Sequence, residues 1–324
     1  MTRNAVHLLC QPNSRPRAVW PRFWPSRARS AIVVVLTLVL VVSPLVASAG
    51  LESEIGAVIH AAEYKQAHWG ILVADVTTGQ TVYELNADQL FAPASVTKLY
   101  STAAALDTLG AGYRFQTPIY RRGEVDASGA LNGDLILVAS GDLSMGGRTT
   151  ADGRIAFSNS DHTYANGSEK GELTEPDPLA GLDNLARQVA QAGIKRVQGE
   201  VLIDDRLFDK EFGTGSGPRR LTPIMINDNL IDLIITPGEP GRRAIVTWRP
   251  QSALVQVDAR VETVAAGESV STTIRGGSGH GILLSGKIPA GHKPLVRVFE
   301  VADAGAFARA LVIEASDLLI SAEF

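Results

Sequence analysis

Ser95 and Lys98 are the residues of this chain whose types and spacing could do covalent chemistry. They stand in Phe91-Ala-Pro-Ala-Ser95-Val-Thr-Lys98-Leu-Tyr100, and no other lysine has a serine three residues before it. On a helix that starts at or just before Ser95, the two side chains lie on one face, about one turn apart. An amine beside a hydroxyl can make a serine nucleophilic without histidine, provided the amine is neutral and takes the proton. Burial lowers a lysine pKa from its ordinary ~10.4, so a Lys98 pointing into protein would act as a base near neutral pH. The same residues also fit an ordinary helix start, with Ser95 as cap and Lys98 in solvent.

The pair needs local elements to hold it. Leu51, Ile55, Val58 and Ile59 give residues 51–67 a helical period. His68 to Val76 is an apolar strand, Thr77-Thr78-Gly79-Gln80 a turn and Thr81–Leu85 a second strand, which together make a hairpin. Good helix formers follow from Ser95 to about Leu109, with Gly110 as the C-cap. Helix, hairpin and a helix opening on a nucleophile form an α+β layout. Beyond Tyr113 the pattern turns to short strands, among them 135–139, 197–204, 230–236, 244–248, 254–257, 281–284 and 295–298. Polar loops at 144–178 and 210–218 separate them, and helices are expected at 182–192 and about 304–315.

The chain has 324 residues, 45% hydrophobic and 20% charged, enough for two or three cored domains. Its first segment carries Arg3, Arg15, Arg17, Arg22, Arg27 and Arg29 with no acidic residue. An apolar run from Ala31 to Ala47 follows, broken by Ser43-Pro44 and ended by the small-x-small pattern Ala47-Ser48-Ala49. Residues 1–49 are therefore expected to be a secretory signal peptide, cut after about Ala49, and an uncleaved anchor is the alternative. Cleavage removes six positive charges and takes the net charge from −4 to −10. It also removes Cys10, the one cysteine, so disulfides and cysteine metal sites are excluded. An acidic exported protein is a poor nucleic-acid binder, and its place is the periplasm or cell envelope. The histidines show no ligand spacing, so neither a metal nor a cofactor is expected.

Pro93-Ala-Ser95-Val-Thr-Lys98, with the Ala/Leu helix after it, resembles the active-site serine motif of penicillin-binding proteins and serine β-lactamases. Further stretches narrow the resemblance: Tyr113-Arg-Phe-Gln-Thr, Asn132-Gly-Asp-Leu-Ile-Leu, Asp183-Asn-Leu-Ala and Gly199-Glu-Val-Leu-Ile-Asp-Asp205. With Pro223-Ile-Met-Ile-Asn-Asp-Asn-Leu-Ile-Asp232 and Ile288-Pro-Ala-Gly, they are similar to D-alanyl-D-alanine carboxypeptidase/endopeptidases of the penicillin-binding protein 4 type. That resemblance implies the N-terminal part of a transpeptidase-like catalytic domain over 50–112, β-rich inserted domains over 113–298 and a returning helix within 299–324. It implies Ser95 as nucleophile and Lys98 as general base. Its partners would be peptidoglycan peptides ending in D-Ala-D-Ala, with β-lactams as acylating inhibitors. The membrane would be met only through the signal peptide.

The resemblance also implies a Ser-x-Asn and a Lys-Thr-Gly motif after the inserted domains, and neither occurs in the 324 residues. The chain is therefore expected to be C-terminally truncated and inactive. Two other readings stay open: a non-catalytic envelope binding module or gene fragment, and a serine β-lactamase. Tyr164-Ala-Asn166 mimics a β-lactamase Tyr-x-Asn but lies in a polar stretch and is expected to be a surface loop. Asp142, in Ser-Gly-Asp, is expected to be a turn residue, and Asn227-Asp228-Asn229 a structural hydrogen-bonding cluster.

Overall fold

The computed structural model describes residues 43–213, 217–276 and 281–317. Most of the expected signal peptide, residues 1–42, lies outside them, as do residues 277–280 and 318–324. The described residues fall into two compact units, divided between Tyr113 and Arg114.

In the smaller unit, α1 (Ser43–Ile59) carries Pro44 in its first turn, where a missing N–H is tolerated. The helix expected over 51–67 stops at Ile59, where the apolar period stops. Ala61 is extended, and a 3-10 turn follows at Ala62–Tyr64. The Tyr64 ring meets Trp69 edge-on, with centroids 5.6 Å apart. β1 (Ile71–Ala74) and β2 (Thr81–Leu85) pair antiparallel, with Ile71 opposite Leu85. Their turn is tied by Asp75 Oδ1, which accepts from Thr77 N and Thr78 N, each at 2.8 Å. A 3-10 turn at Ala94–Val96 runs into α2 (Thr97–Leu109), which ends at Gly110 with φ 81°, a conformation natural to glycine.

The larger unit opens with a hairpin of β3 (Ile119–Val125) and β4 (Ala130–Val138). α3 (Ala180–Gln191) crosses over to β5 (Arg196–Val197) and β6 (Val201–Asp204), both parallel to β4. α3 buries Leu182, Leu185, Ala186 and Val189, one helical stripe. Where the sequence suggested only a Gly-rich loop, β7 (Glu211–Phe212) and β8 (Arg220–Leu221) form a short pair.

The rest of this unit is β9 (Leu230–Thr236), β10 (Ile245–Arg249), β11 (Gln256–Val264), β12 (Ser271–Gly276), β13 (Gly281–Pro289), β14 (Leu295–Glu300) and α4 (Ala304–Asp317). β9 lies between β10 and β14, antiparallel to both. β13 lies between β11, parallel to it, and β12, antiparallel. α4 buries Ala304, Phe307, Ala308, Leu311 and Val312, again one stripe. Those side chains join Leu131 and Leu137 of β4, Leu233 and Ile235 of β9 and Leu284 of β13 in one core. Strands and helices share that core, so the α+β expectation holds.

Candidate active site

The short segment after β2 decides where Ser95 stands. Pro93 has helical dihedrals and Ala94 has φ 43°, a left-handed conformation that alanine adopts only where its surroundings hold it. Val96 N–H donates to Pro93 O at 2.9 Å and Thr97 Oγ1 donates to Ala94 O at 2.8 Å, so the kink is closed by local bonds. The chain then enters α2 with Ser95 and Lys98 on one face. Lys98 Nζ donates to Ser95 Oγ at 3.0 Å. The spacing argument and the geometry agree.

Of the two settings the sequence left open for Lys98, inside protein or in solvent, the structure shows the second. Both side chains are exposed, and no residue of α2 is buried. The helix has apolar residues on several sides, yet Leu99 is 70% and Tyr100 75% exposed. Composition alone suggested a covered helix, but every residue of α2 is exposed.

The other sequence candidates resolve into structural roles. Asn166 sits in a 3-10 turn, His162–Gly167, and pairs with the backbone of Val298: its Nδ2 donates to Val298 O at 2.8 Å and its Oδ1 accepts from Val298 N at 2.9 Å. It extends the edge of β14 like an extra strand residue. Asp142 Oδ1 accepts from Ser144 N at 2.9 Å and Ser144 Oγ at 3.0 Å, an Asx turn. Asn227, Asp228 and Asn229 all have positive φ, between 52° and 56°. Asn229 Nδ2 donates to Thr222 Oγ1 at 3.0 Å and Asn227 Nδ2 to Leu230 O at 2.9 Å, which holds this rare backbone in place.

One constellation escaped the sequence reading. His162 is buried, and Asp232, in the middle of the apolar β9, is 0% exposed. The imidazolium donates from Nδ1 to Asp232 Oδ1 at 2.6 Å and from Nε2 to Asp228 Oδ2 at 2.8 Å. Arg148 joins Asp228 at 2.6 Å and Asp161 at 2.8 Å. Arg249 Nε donates to the second oxygen of Asp232 at 3.0 Å, and Asn227 Nδ2 reaches the same oxygen at 3.1 Å. Burial pushes the His162 pKa down, but the two aspartates outweigh it and raise the group to about 9. Asp161 loses solvation too, yet Arg148 holds its carboxyl below the ordinary value. The visible signal was a single aspartate inside Leu230-Ile-Asp-Leu-Ile-Ile; a carboxylate there must find buried partners.

Asp161, His162 and Asp228 also have ligand atoms within 4.8 Å of one another, a spacing that a cation could use. The donor set does not fit one: the Arg148 guanidinium already bridges both carboxylates. Three carboxylates face two guanidiniums and one imidazolium, so the charges close with His162 protonated. It is an ion-pair network that fastens the 144–178 segment to β9.

A family model for the D-Ala-D-Ala carboxypeptidase 3 (S13) family matches residues 51–318. The chain belongs to this S13 family. It is 27% identical over 331 residues to a D-alanyl-D-alanine carboxypeptidase of Actinomadura sp. (strain R39), covering 93% of this chain and 54% of that protein. Its fold is similar to the crystal structure of penicillin binding protein 4 from Haemophilus influenzae, with a TM-score of 0.53 and 18% identity, over 78% of this chain and 51% of that one. The chain thus spans about half the length of both of these proteins. The match takes in both the Ser95 segment and the His162 network.

Proposed function

We propose that this chain carries the nucleophile and base of a serine D-Ala-D-Ala carboxypeptidase/endopeptidase acting on peptidoglycan peptides at the cell envelope. The observation that carries the reading is the 3.0 Å contact between Lys98 Nζ and Ser95 Oγ within a stretch that matches the S13 family. Ser95 Oγ attacks the carbonyl of the peptide bond between two D-alanines. Lys98 is the general base: it takes the Oγ proton as the bond forms and returns one to the departing amine. The Ser95 backbone N–H is one donor to the developing oxyanion, a kind of contact typically worth about 3 kcal/mol. Water then attacks the acyl-enzyme ester and releases the shortened peptide. β-Lactams enter by the same attack and leave their ring-opened acyl group on Ser95.

Neither Ser-x-Asn nor Lys-Thr-Gly occurs within the 324 residues. On their own, these 324 residues are therefore expected to acylate slowly, with no measurable turnover of a D-Ala-D-Ala peptide. Export with removal of residues 1–49 completes the reading, and it places the substrate outside the cytoplasm.

The test is incubation of the full chain with benzylpenicillin, followed by peptide mass spectrometry. The expected result is one covalent adduct on the Ser95 peptide, lost in Ser95→Ala. An adduct that survives Ser95→Ala, or no adduct after prolonged incubation, overturns the assignment. Turnover of the peptide at ordinary enzymatic rates would overturn the claim of inactivity.

A further inference from the structure

The approach to Ser95 passes a close contact between Gly70 and the half-exposed ring of Phe91. Gly70 precedes β1, and a Cβ placed on it would lie 2.2 Å from Phe91 Cε2, 2.5 Å from Cζ and 2.9 Å from Cδ2. Ordinary contact begins near 3.4 Å, so the ring would have to retreat by over an ångström. Phe91 is four residues before Ser95, and its ring also stacks on His68 at 5.1 Å with an interplanar angle of 18°. His68 Nε2 lies 2.7 Å from Gln89 Oε1, Gln89 Nε2 donates to Asn86 Oδ1 at 3.1 Å, and Asn86 Nδ2 donates to Trp69 O at 2.8 Å. Residues 68–70 and 86–91 thus close a ring of contacts one step beyond the last hairpin pair, Ile71 with Leu85.

We infer that Gly70 and Phe91 are positioning residues for the nucleophile: the Phe91 ring, seated on the bare Cα of Gly70, sets the path of the segment that delivers Ser95 to Lys98. The segment between seat and serine is short and stiff. Pro93 restricts the backbone before the left-handed Ala94, and that strained residue keeps its conformation only while both of its ends are held. On the far side, α2 and the bond from Thr97 Oγ1 to Ala94 O hold one end. On the near side, the Phe91 seat holds the other. A displaced ring would relax Ala94 and carry Ser95 Oγ out of reach of Lys98 Nζ. The catalytic meaning of this seat rests on the proposed function, but its geometry can be measured without substrate.

The probe is a thiol in place of the hydroxyl. Ser95→Cys is made in the full chain with Cys10→Ser, so that a single thiol remains, and its alkylation by iodoacetamide is followed against pH. A cationic amine at hydrogen-bond distance stabilises the thiolate, so the alkylation midpoint is expected below the ordinary ~8.5. Adding Gly70→Ala or Phe91→Ala should return it to about 8.5, while Phe91→Tyr, which keeps the ring, should leave it with the parent. A general loss of stability would not move this midpoint in a folded variant. Should Gly70→Ala fail to fold, the contrast between Phe91→Ala and Phe91→Tyr still decides. A parent midpoint of about 8.5, or one that stays low when the ring is removed, overturns the inference. Failure of the penicillin experiment with a seat-dependent thiol midpoint would instead refute the proposed function and leave the seat standing.

Discussion

Ser95 with Lys98 and His162 with its aspartates are both hydrogen-bonded polar constellations, and they are held by opposite means. The first is a single contact on the exposed start of a helix, placed by the backbone path that leads to it. The second has His162 and Asp232 buried in the larger unit and Arg148, Asp161 and Arg249 partly exposed at its edge, each charge held by the others and by Asn227. An exposed nucleophile can meet a substrate, and its loss leaves no buried group without a partner. A network built on a buried histidine and aspartate strands a neighbour when it loses either of them. On the proposed reading, reactivity and stability therefore rest on different residues of this chain.

The sharpest way to break that contrast is Asp232→Ala. It leaves His162 and Arg249 facing an apolar side chain in a site that is 0% exposed, a change that costs about 3–5 kcal/mol of unfolding free energy. Denaturant unfolding followed by circular dichroism measures it. Asp232→Asn keeps an acceptor and the shape, and should fall between this variant and the parent. A loss below about 1 kcal/mol for Asp232→Ala would mean that the network is wet and inessential.

Next in size is the dependence on pH. His162 is raised from 6.5 in the unfolded chain to about 9 in the fold, so protonation favours the folded state. That stabilisation is present in full below about 6.5 and is lost as pH rises through about 9, at most about 3 kcal/mol in all. The unfolding free energy of the parent should fall between about pH 7 and pH 10, and His162→Gln should flatten that slope. An equal slope in both proteins would show that His162 does not carry the charge assigned to it.

The two regions also differ in how legible they were. The Ser95 segment could be read because its signals are local: a three-residue spacing, a proline, a helix period and a terminal glycine. The hairpin and α3 were legible for the same reason. The setting of Lys98 stayed open because a helix period says which face is apolar and not what lies against it. The His162 network joins residues some 70 positions apart, and no local pattern ties His162 to Asp232. Only the lone aspartate in an apolar strand betrayed it. β12 escaped because Ser271-Thr-Thr-Ile-Arg-Gly276 alternates exposed and half-buried residues without an apolar run. The seat of Phe91 on Gly70 was invisible too, since a sequence shows a glycine but not the ring that excludes its Cβ.

The smallest expected effect completes the contrast from the other side. Ser95 and Lys98 are exposed, so Ser95→Ala and Lys98→Met should each change unfolding free energy by no more than about 0.5 kcal/mol. Removing Lys98 takes away a surface hydrogen bond and leaves Ser95 free to bond water, so no buried group is stranded. Urea unfolding of the three proteins in parallel measures this, with the benzylpenicillin adduct as the second readout. The adduct should vanish in Ser95→Ala and fall steeply in Lys98→Met while the unfolding midpoints stay together. A destabilisation above about 1 kcal/mol in either variant would place the pair in a covered site, and the division between a reactive surface and a structural interior would no longer hold.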